Sequence, residues 1–492
     1  MLGFAIVCHR WMGVTFCVLF AWWFLSGIGM LYWDYPEVDS ISRLKRSPVL
    51  DPSRVRLSAE EAFGVLKFDQ TPDRARLNTF NGRPVYRFSV DGLEWLVYAD
   101  TGERPELSSP EMGLQTASAW TGESGAEATV EDAKEDQWTL PESFRRLWPM
   151  WKYSWPSGEQ VYVSQVNGEV VQFTTRASRL GAYLGPIPHW LYFTPLRKHH
   201  ALWRGIVIWL SGLATVAALF GLLAGTLMFS PSKRYRHRGA ASSVPFSGQK
   251  RLHMILGLFF GIVACTWSFS GMLSMDPFSI DTGEKKAREF EAALRGTQFE
   301  LNAFAGKHPR VALAQAAPEL KVRELEFTIF GGQAVYLASD GEENSRIIPV
   351  GGVPRRTFDL GELMHEIRVA ALPAAMADVR LIAQYDAYYR DRNRTKPLPV
   401  ILARLKDSDE TRYYVDPRTA RVVGSYNSRA WVDRWLYHAL HSVDFPWLYD
   451  HRPAWDGVVL ALLLGGTYLS FTSLVLGYRL VRRTLGKGSI FP

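Results

Sequence analysis

Six of the eleven histidines in this 492-residue chain fall into pairs at constant spacing. A shift of 244 residues carries His9, Gly13, Phe16, Trp23, Ser26 and Gly27 onto His253, Gly257, Phe260, Trp267, Ser270 and Gly271. A shift of 252 carries His189, Phe193, His199, Trp203, Gly205 and Val207 onto His441, Phe445, His451, Trp455, Gly457 and Val459. Duplicated ionisable groups at the ends of apolar segments are poorly explained by packing. Neutral imidazole is a good iron ligand, and two imidazoles from facing helices can fill both axial positions of a haem. The pairs point to b-type haem, up to two per chain.

His9 and His253 open apolar segments. The spacing 9, 13, 16, 23, 27 keeps one helical face, so His, Gly, Phe, Trp and Gly form a stripe. Glycine on it lets a flat porphyrin or a partner helix approach the backbone. The competing reading is an interfacial histidine reaching headgroups, with the small residues serving helix packing alone. His189 and His441 lie in aromatic, proline-containing segments, Pro188–Pro195 and Leu440–Trp447, where an aromatic-belt residue without iron is the alternative. His199 and His451 also match, but Arg197, Lys198, Asp450 and Arg452 beside them favour headgroup contact. His438, three residues before His441, shares its helical face and is a substitute ligand. His200, His237, His308 and His365 lack a matching partner. Asp386, Tyr388, Tyr389 and Arg390 read as a loop or strand surface, with substrate contact as the other possibility.

These groups need elements to hold them. Four windows, roughly 11–33, 203–229, 254–275 and 456–478, are apolar. Each is long enough to cross a hydrocarbon core of about 30 Å. Lys233, Arg234, Arg236, Arg238, Lys250 and Arg251 mark the central linker, and Arg479, Arg482, Arg483 and Lys487 the tail. Asp34, Glu37, Asp39, Asp276, Asp281 and Asp444 flank the opposite ends. The positive-inside rule then places both termini and the linker in the cytoplasm and the large connecting regions outside. The net charge of +7 reflects this asymmetry, and no nucleic-acid partner is expected. Residues 1–33 read as a retained span rather than a signal peptide, because no small-residue cleavage site follows.

The chain divides into a first span at 1–33, an outer domain at 34–188, and an interfacial segment with a second span at 189–229. A basic linker at 230–252 and a third span at 253–275 follow. A second outer domain at 276–440, an interfacial segment with a fourth span at 441–480, and a tail at 481–492 complete it. Cys8, Cys17 and Cys265 lie in or beside spans, so no disulfide is expected in the outer domains, and no CxxCH motif exists. Any haem is held non-covalently.

In the outer regions Ser58, with Glu61 three residues on, caps a helix over 58–66. Strands followed by turns recur at Val85–Val90 with Glu94–Tyr98, at Gln160–Ser164, at Ala334–Ala338 and at Arg412–Val415. Two α+β domains, one per half, are expected. Residues 106–137, rich in Ser, Thr, Gly, Ala and Glu, read as a flexible insertion.

A helix followed by a hairpin ending in strands such as EWLVYADTGE and TRYYVDPRTARVV resembles the PepSY domain. The spans HRWMGVTFCVLFAWWFLSG and RLHMILGLFFGIVACTWSFSG, with IPHWLYF and LHSVDFP, resemble the PepSY-associated transmembrane helix family. The resemblance covers nearly the whole chain. It implies a bacterial inner-membrane, iron-regulated protein: four transmembrane helices in two parallel repeats, plus two periplasmic α+β PepSY-like domains. Some members resemble di-haem reductases of ferric siderophores. Electrons would cross the bilayer to a ferric siderophore or another periplasmic acceptor, from a cytoplasmic reductase or from quinol. The alternative is a haem-free scaffold whose PepSY domains bind or regulate a peptidase, a transporter or an envelope partner. No Walker motif, HExxH or nucleophile elbow occurs, which removes support for ATP-driven, zinc-proteolytic and serine-hydrolytic chemistry.

Overall fold

The computed structural model describes residues 2–237, 239–279, 283–341, 344–391 and 393–487, with 486 and 487 described without their side chains. Of the flanking charges used above, Arg238, Asp281 and the side chain of Lys487 lie outside that description. The chain forms two compact units. One comprises Met1–Tyr35, Ala177–Ile280 and Ala430–Pro492; the other comprises Pro36–Arg176 and Asp281–Arg429.

The first unit is a bundle of four helices, Leu2–Met30, His200–Met228, Gly248–Leu273 and Ala454–Lys487. All four are long and apolar enough to cross a membrane. The first helix packs against the second and fourth, and the third packs against the same two. The first and third therefore face each other diagonally. Close approach is made at small residues: the Phe24 ring lies where a Cβ on Gly466 would stand, and Phe260 does the same at Gly465. Large apolar side chains point outward, Trp209 and Phe259 each at 72% exposure, as expected of helices solvated by lipid. Short helices, Pro186–His189 and Thr194–Arg197, lead into the second long helix. The segments Val432–Ala439, Leu440–Ser442 and Pro446–Tyr449 lead into the fourth. Prolines stand at the start of three of these turns, where a missing N–H costs nothing.

The second unit is α+β. Its largest sheet has six strands, in the order Ser345–Pro349, Gln333–Ser339, Glu324–Phe330, Arg74–Phe80, Arg83–Val90, Leu93–Tyr98. Each half of the sequence supplies three strands. The halves join where Arg74–Phe80 runs antiparallel to Glu324–Phe330, with Ala75 opposite Phe327 and Leu77 opposite Leu325. The sequence divided this region into domains at 34–188 and 276–440. The structure instead closes each half's strand edge with the other half's, satisfying backbone groups that would otherwise lie bare. Period-two alternation puts Ala75, Leu77, Tyr86, Phe88, Phe327 and Tyr336 into one core. Two further four-stranded sheets carry the remaining strands, one from each half.

Residues 106–137 are ordered, which corrects the reading of a flexible insertion. Pro110–Thr121 is a helix, with Ser109 accepting from the Met112 N–H and left-handed Gly122 closing it. Thr129–Asp132 adds an edge strand. Leu114, Ala117 and Trp120 anchor the helix onto Tyr153, Val161 and Val163. Polar composition hid an apolar face spaced three residues apart. The capping box at Ser58 and Glu61 forms as expected, over a helix Ala59–Gly64.

Candidate functional site

His9 and His253 sit on the diagonal helices of the bundle, and their rings meet across it. The centroids are 6.0 Å apart, with 26° between the planes. His9 Nδ1 lies 3.1 Å from the Ala217 carbonyl oxygen on the second helix, and His253 Nδ1 lies 3.0 Å from Thr472 Oγ1 on the fourth. The His9 ring stands so close to Gly221 that a Cβ there would come within 2.5 Å of it.

The other pair has the same form. His189 and His441 have centroids 6.0 Å apart and planes at 70°. His189 Nδ1 lies 3.1 Å from Ser26 Oγ, and His441 Nδ1 lies 2.9 Å from Ser270 Oγ. Gly27 and Gly271, one residue on, sit 3.7 and 3.6 Å from the His189 and His441 rings when given a Cβ. His189 closes the turn Pro186–His189, His441 lies within Leu440–Ser442, and the first and third long helices supply their partners. Along the first helix, the step from residue 9 to residue 26 spans about 25 Å. The two pairs therefore occupy opposite ends of the bundle.

The geometry of each pair can be compared with what a shared metal requires. Metal–nitrogen bonds run about 2 Å, so two rings whose centroids stand 6.0 Å apart leave room for one metal ion between them. Rotation about those bonds leaves the interplanar angle free, so 26° and 70° are both compatible. Nδ1 is engaged in every ring, which is how ligating histidines are usually held, with Nε2 left for the metal. A Cβ on Gly13, one turn from His9, would meet no atom within 4 Å, and one on Gly257 meets only Leu469 Cδ1 at 3.9 Å. That is room at the backbone which no partner helix takes up. Among the described residues, no three His, Cys, Asp or Glu side chains gather to hold a bare ion. The donor set is two imidazoles per site, which fits haem, whose ring supplies the remaining ligands.

Of the secondary candidates, His438 lies near His441, with the Tyr437 ring 4.6 Å from the one and 5.7 Å from the other. His438 is exposed, with Nε2 3.6 Å from Asp433 Oδ2. His451 Nδ1 contacts the Trp447 carbonyl at 2.7 Å on the surface, and His199 is exposed at the residue before the second long helix. Asp386 is a loop organiser. Its carboxylate accepts from the Tyr388 and Tyr389 N–H groups, both at 2.8 Å, and from the Tyr414 hydroxyl at 2.8 Å.

The α+β unit holds a cluster that the sequence reading missed. Arg76 reaches Glu94 at 2.6 Å, Glu324 at 3.1 Å and Glu169 at 3.2 Å. Arg87, with 1% of its side chain exposed, reaches Glu94 at 3.1 Å, Asn78 Oδ1 at 2.8 Å and the Asn167 carbonyl at 3.0 Å. Burial on its own would raise the Glu169 carboxyl, but the guanidinium groups of Arg76, Arg87 and Arg43 outweigh it and hold it well below the usual carboxylate range. The cluster is satisfied internally and is structural. Inward-facing charges on strands are its only trace in the sequence.

Four apolar helices bearing opposed histidines, on a chain that also folds an α+β unit, define a membrane protein of the helix-bundle class. Residues 7–335 match the model of the PepSY-associated TM region. The chain belongs to that family. No curated protein matches it significantly.

Proposed function

We propose that this chain is a four-pass protein of the bacterial cytoplasmic membrane, built as two parallel repeats, that holds two b-type haems. His9 and His253 would bind one, and His189 and His441 the other. The carrying observation is that both pairs present opposed rings at 6.0 Å, each with Nδ1 engaged elsewhere. When bound, haem supplies one-electron redox chemistry. The residues would do the rest: the four histidines would hold the iron, and Ser26, Ser270, Thr472 and the Ala217 carbonyl would orient their rings. Phe16 and Phe24 are buried in the bundle.

The placement of basic residues supports cytoplasmic termini and outer connecting regions, so electrons would travel from a cytoplasmic reductase or quinol to a periplasmic acceptor. Family resemblance favours a ferric siderophore as that acceptor. Reduction to Fe(II) weakens hard oxygen ligation and would release the metal.

The test is a dithionite-reduced minus oxidised spectrum of the purified protein, with pyridine-haemochrome quantitation. About two b haems per chain are expected. Absence of haem from protein made in haem-replete cells overturns the reading and leaves a haem-free scaffold as the account.

A further inference from the structure

Three of the four histidines His9, His253, His189 and His441 contact a hydroxyl through Nδ1, and the fate of each hydroxyl proton fixes the ring. Ser26 Oγ donates to the Trp23 carbonyl at 3.2 Å, Ser270 Oγ to the Trp267 carbonyl at 3.1 Å, and Thr472 Oγ1 to the Leu469 carbonyl at 2.6 Å. Each bond runs back one turn of the hydroxyl's own helix. A hydroxyl has one proton, so once it is committed the oxygen can only accept from the ring. The fourth partner, the Ala217 carbonyl, can only accept. With the hydroxyl protons on those carbonyls, each contact is completed by a proton on Nδ1.

We infer that Ser26, Ser270 and Thr472 are positioning residues that lock His189, His441 and His253 in the Nδ1–H tautomer, with the Ala217 carbonyl doing the same for His9. All four Nε2 lone pairs are then free to ligate. The purpose of the lock rests on the haem reading, whereas the tautomer itself does not.

The lock is equal at one end of the bundle and unequal at the other. His189 and His441 are both held by serines at matching positions, 26 and 270. Under the 252-residue shift, Ala217, Phe220 and Gly221 correspond to Leu469, Thr472 and Ser473. On the fourth helix, Thr472 and Ser473 both donate to the Leu469 carbonyl, at 2.6 and 3.1 Å, and Thr472 relays the contact to His253. The second helix has no hydroxyl at the equivalent places. There the carbonyl receives His9 directly, and Gly221 leaves room for the ring to reach it.

The test uses full-length protein labelled with 15N-histidine, chemically reduced and studied in lipid by solid-state NMR, alongside Ser26→Ala, Ser270→Ala, Thr472→Val and Ser270→Thr. The expected wild-type result is protonated Nδ1 and unprotonated Nε2 for four rings. Each hydroxyl-deleting variant should shift the Nδ1 resonance of one ring and leave the other three in place, while Ser270→Thr keeps the wild-type spectrum. Protonated Nε2 in the wild type, or an Nδ1 spectrum unmoved by all three deletions, overturns the inference. Haem content is measured on the same samples. Four Nδ1–H rings without haem would uphold the lock and refute the haem reading; haem with Nε2–H rings would do the reverse.

Discussion

His9 and His253 face each other across 6.0 Å on two helices that are not packed side by side. Diagonal placement matters because neighbouring helices fill the space between them with their own side chains. Helices across a bundle can leave a gap that two side chains reach into from opposite walls.

Replacing one wall should empty one site only. His9→Ala and His253→Ala are each expected to lower haem from about two to about one per chain, and His9→Ala combined with His441→Ala to abolish it. Membrane insertion, followed by fractionation, should be unchanged. Haem loss from both sites in the His9→Ala single variant would show that the two sites are not independent.

Room beside the ring separates a bound group from simple helix packing. Gly13→Leu starts a side chain at a Cβ position that no neighbouring helix approaches within 4 Å. The fold should tolerate it, and helix propensity even gains about 1 kcal/mol. Haem at the His9 site should be lost while thermal stability is kept. Retention of full haem absorbance would mean that the space beside Gly13 serves no ligand.

Gly221→Ala acts from the other side. Its Cβ would stand 2.5 Å from the His9 ring, so the ring must move off the Ala217 carbonyl. Overpacking of this kind typically costs about 1–3 kcal/mol. A weakened or shifted haem spectrum is expected with all four histidines present, measured alongside a melting curve.

Much of this site could be read from the sequence. The pairs were visible because histidine, glycine and tryptophan recur at fixed offsets on a helical period. Their anchors were not visible. Ser26 and Ser270 lay in the matched pattern, but nothing in the spacing tells which helix neighbours which, so Ala217 and Thr472 could not be tied to His9 and His253. The join between Arg74–Phe80 and Glu324–Phe330 was hidden for a related reason: strand pairing about 250 residues apart leaves no local signal. Pro110–Thr121 carries one, a Ser109 cap and a Gly122 stop, but its glycine, alanines, threonines and lone serine mask it in the composition.

That helix gives a stability prediction. Trp120 is 8% exposed and packs in the core with Tyr153, while Arg46 lies over its ring at 4.6 Å. Trp120→Ala should destabilise the α+β unit by about 3–5 kcal/mol. Thermal unfolding of the full-length protein in detergent measures it, and a null result would restore the flexible insertion.

Acid should act on the buried carboxylates. Glu169 is held well below its ordinary value in the folded chain, so its contribution is complete above about pH 4.5 and is lost as pH falls toward 2. Unfolding midpoints should drop over that window. Glu169→Gln should flatten the decline while lowering stability at pH 7, because Arg76 and Arg87 lose a counter-charge.

The shared six-stranded sheet makes the protein a natural candidate for splitting. A break in the 230–252 linker leaves two fragments, and each carries three strands with one edge bare. Neither fragment is self-sufficient, but each holds the template the other needs. Separately translated pieces should find one another by zipping Ala75 against Phe327 and Leu77 against Leu325, with no covalent tie between them.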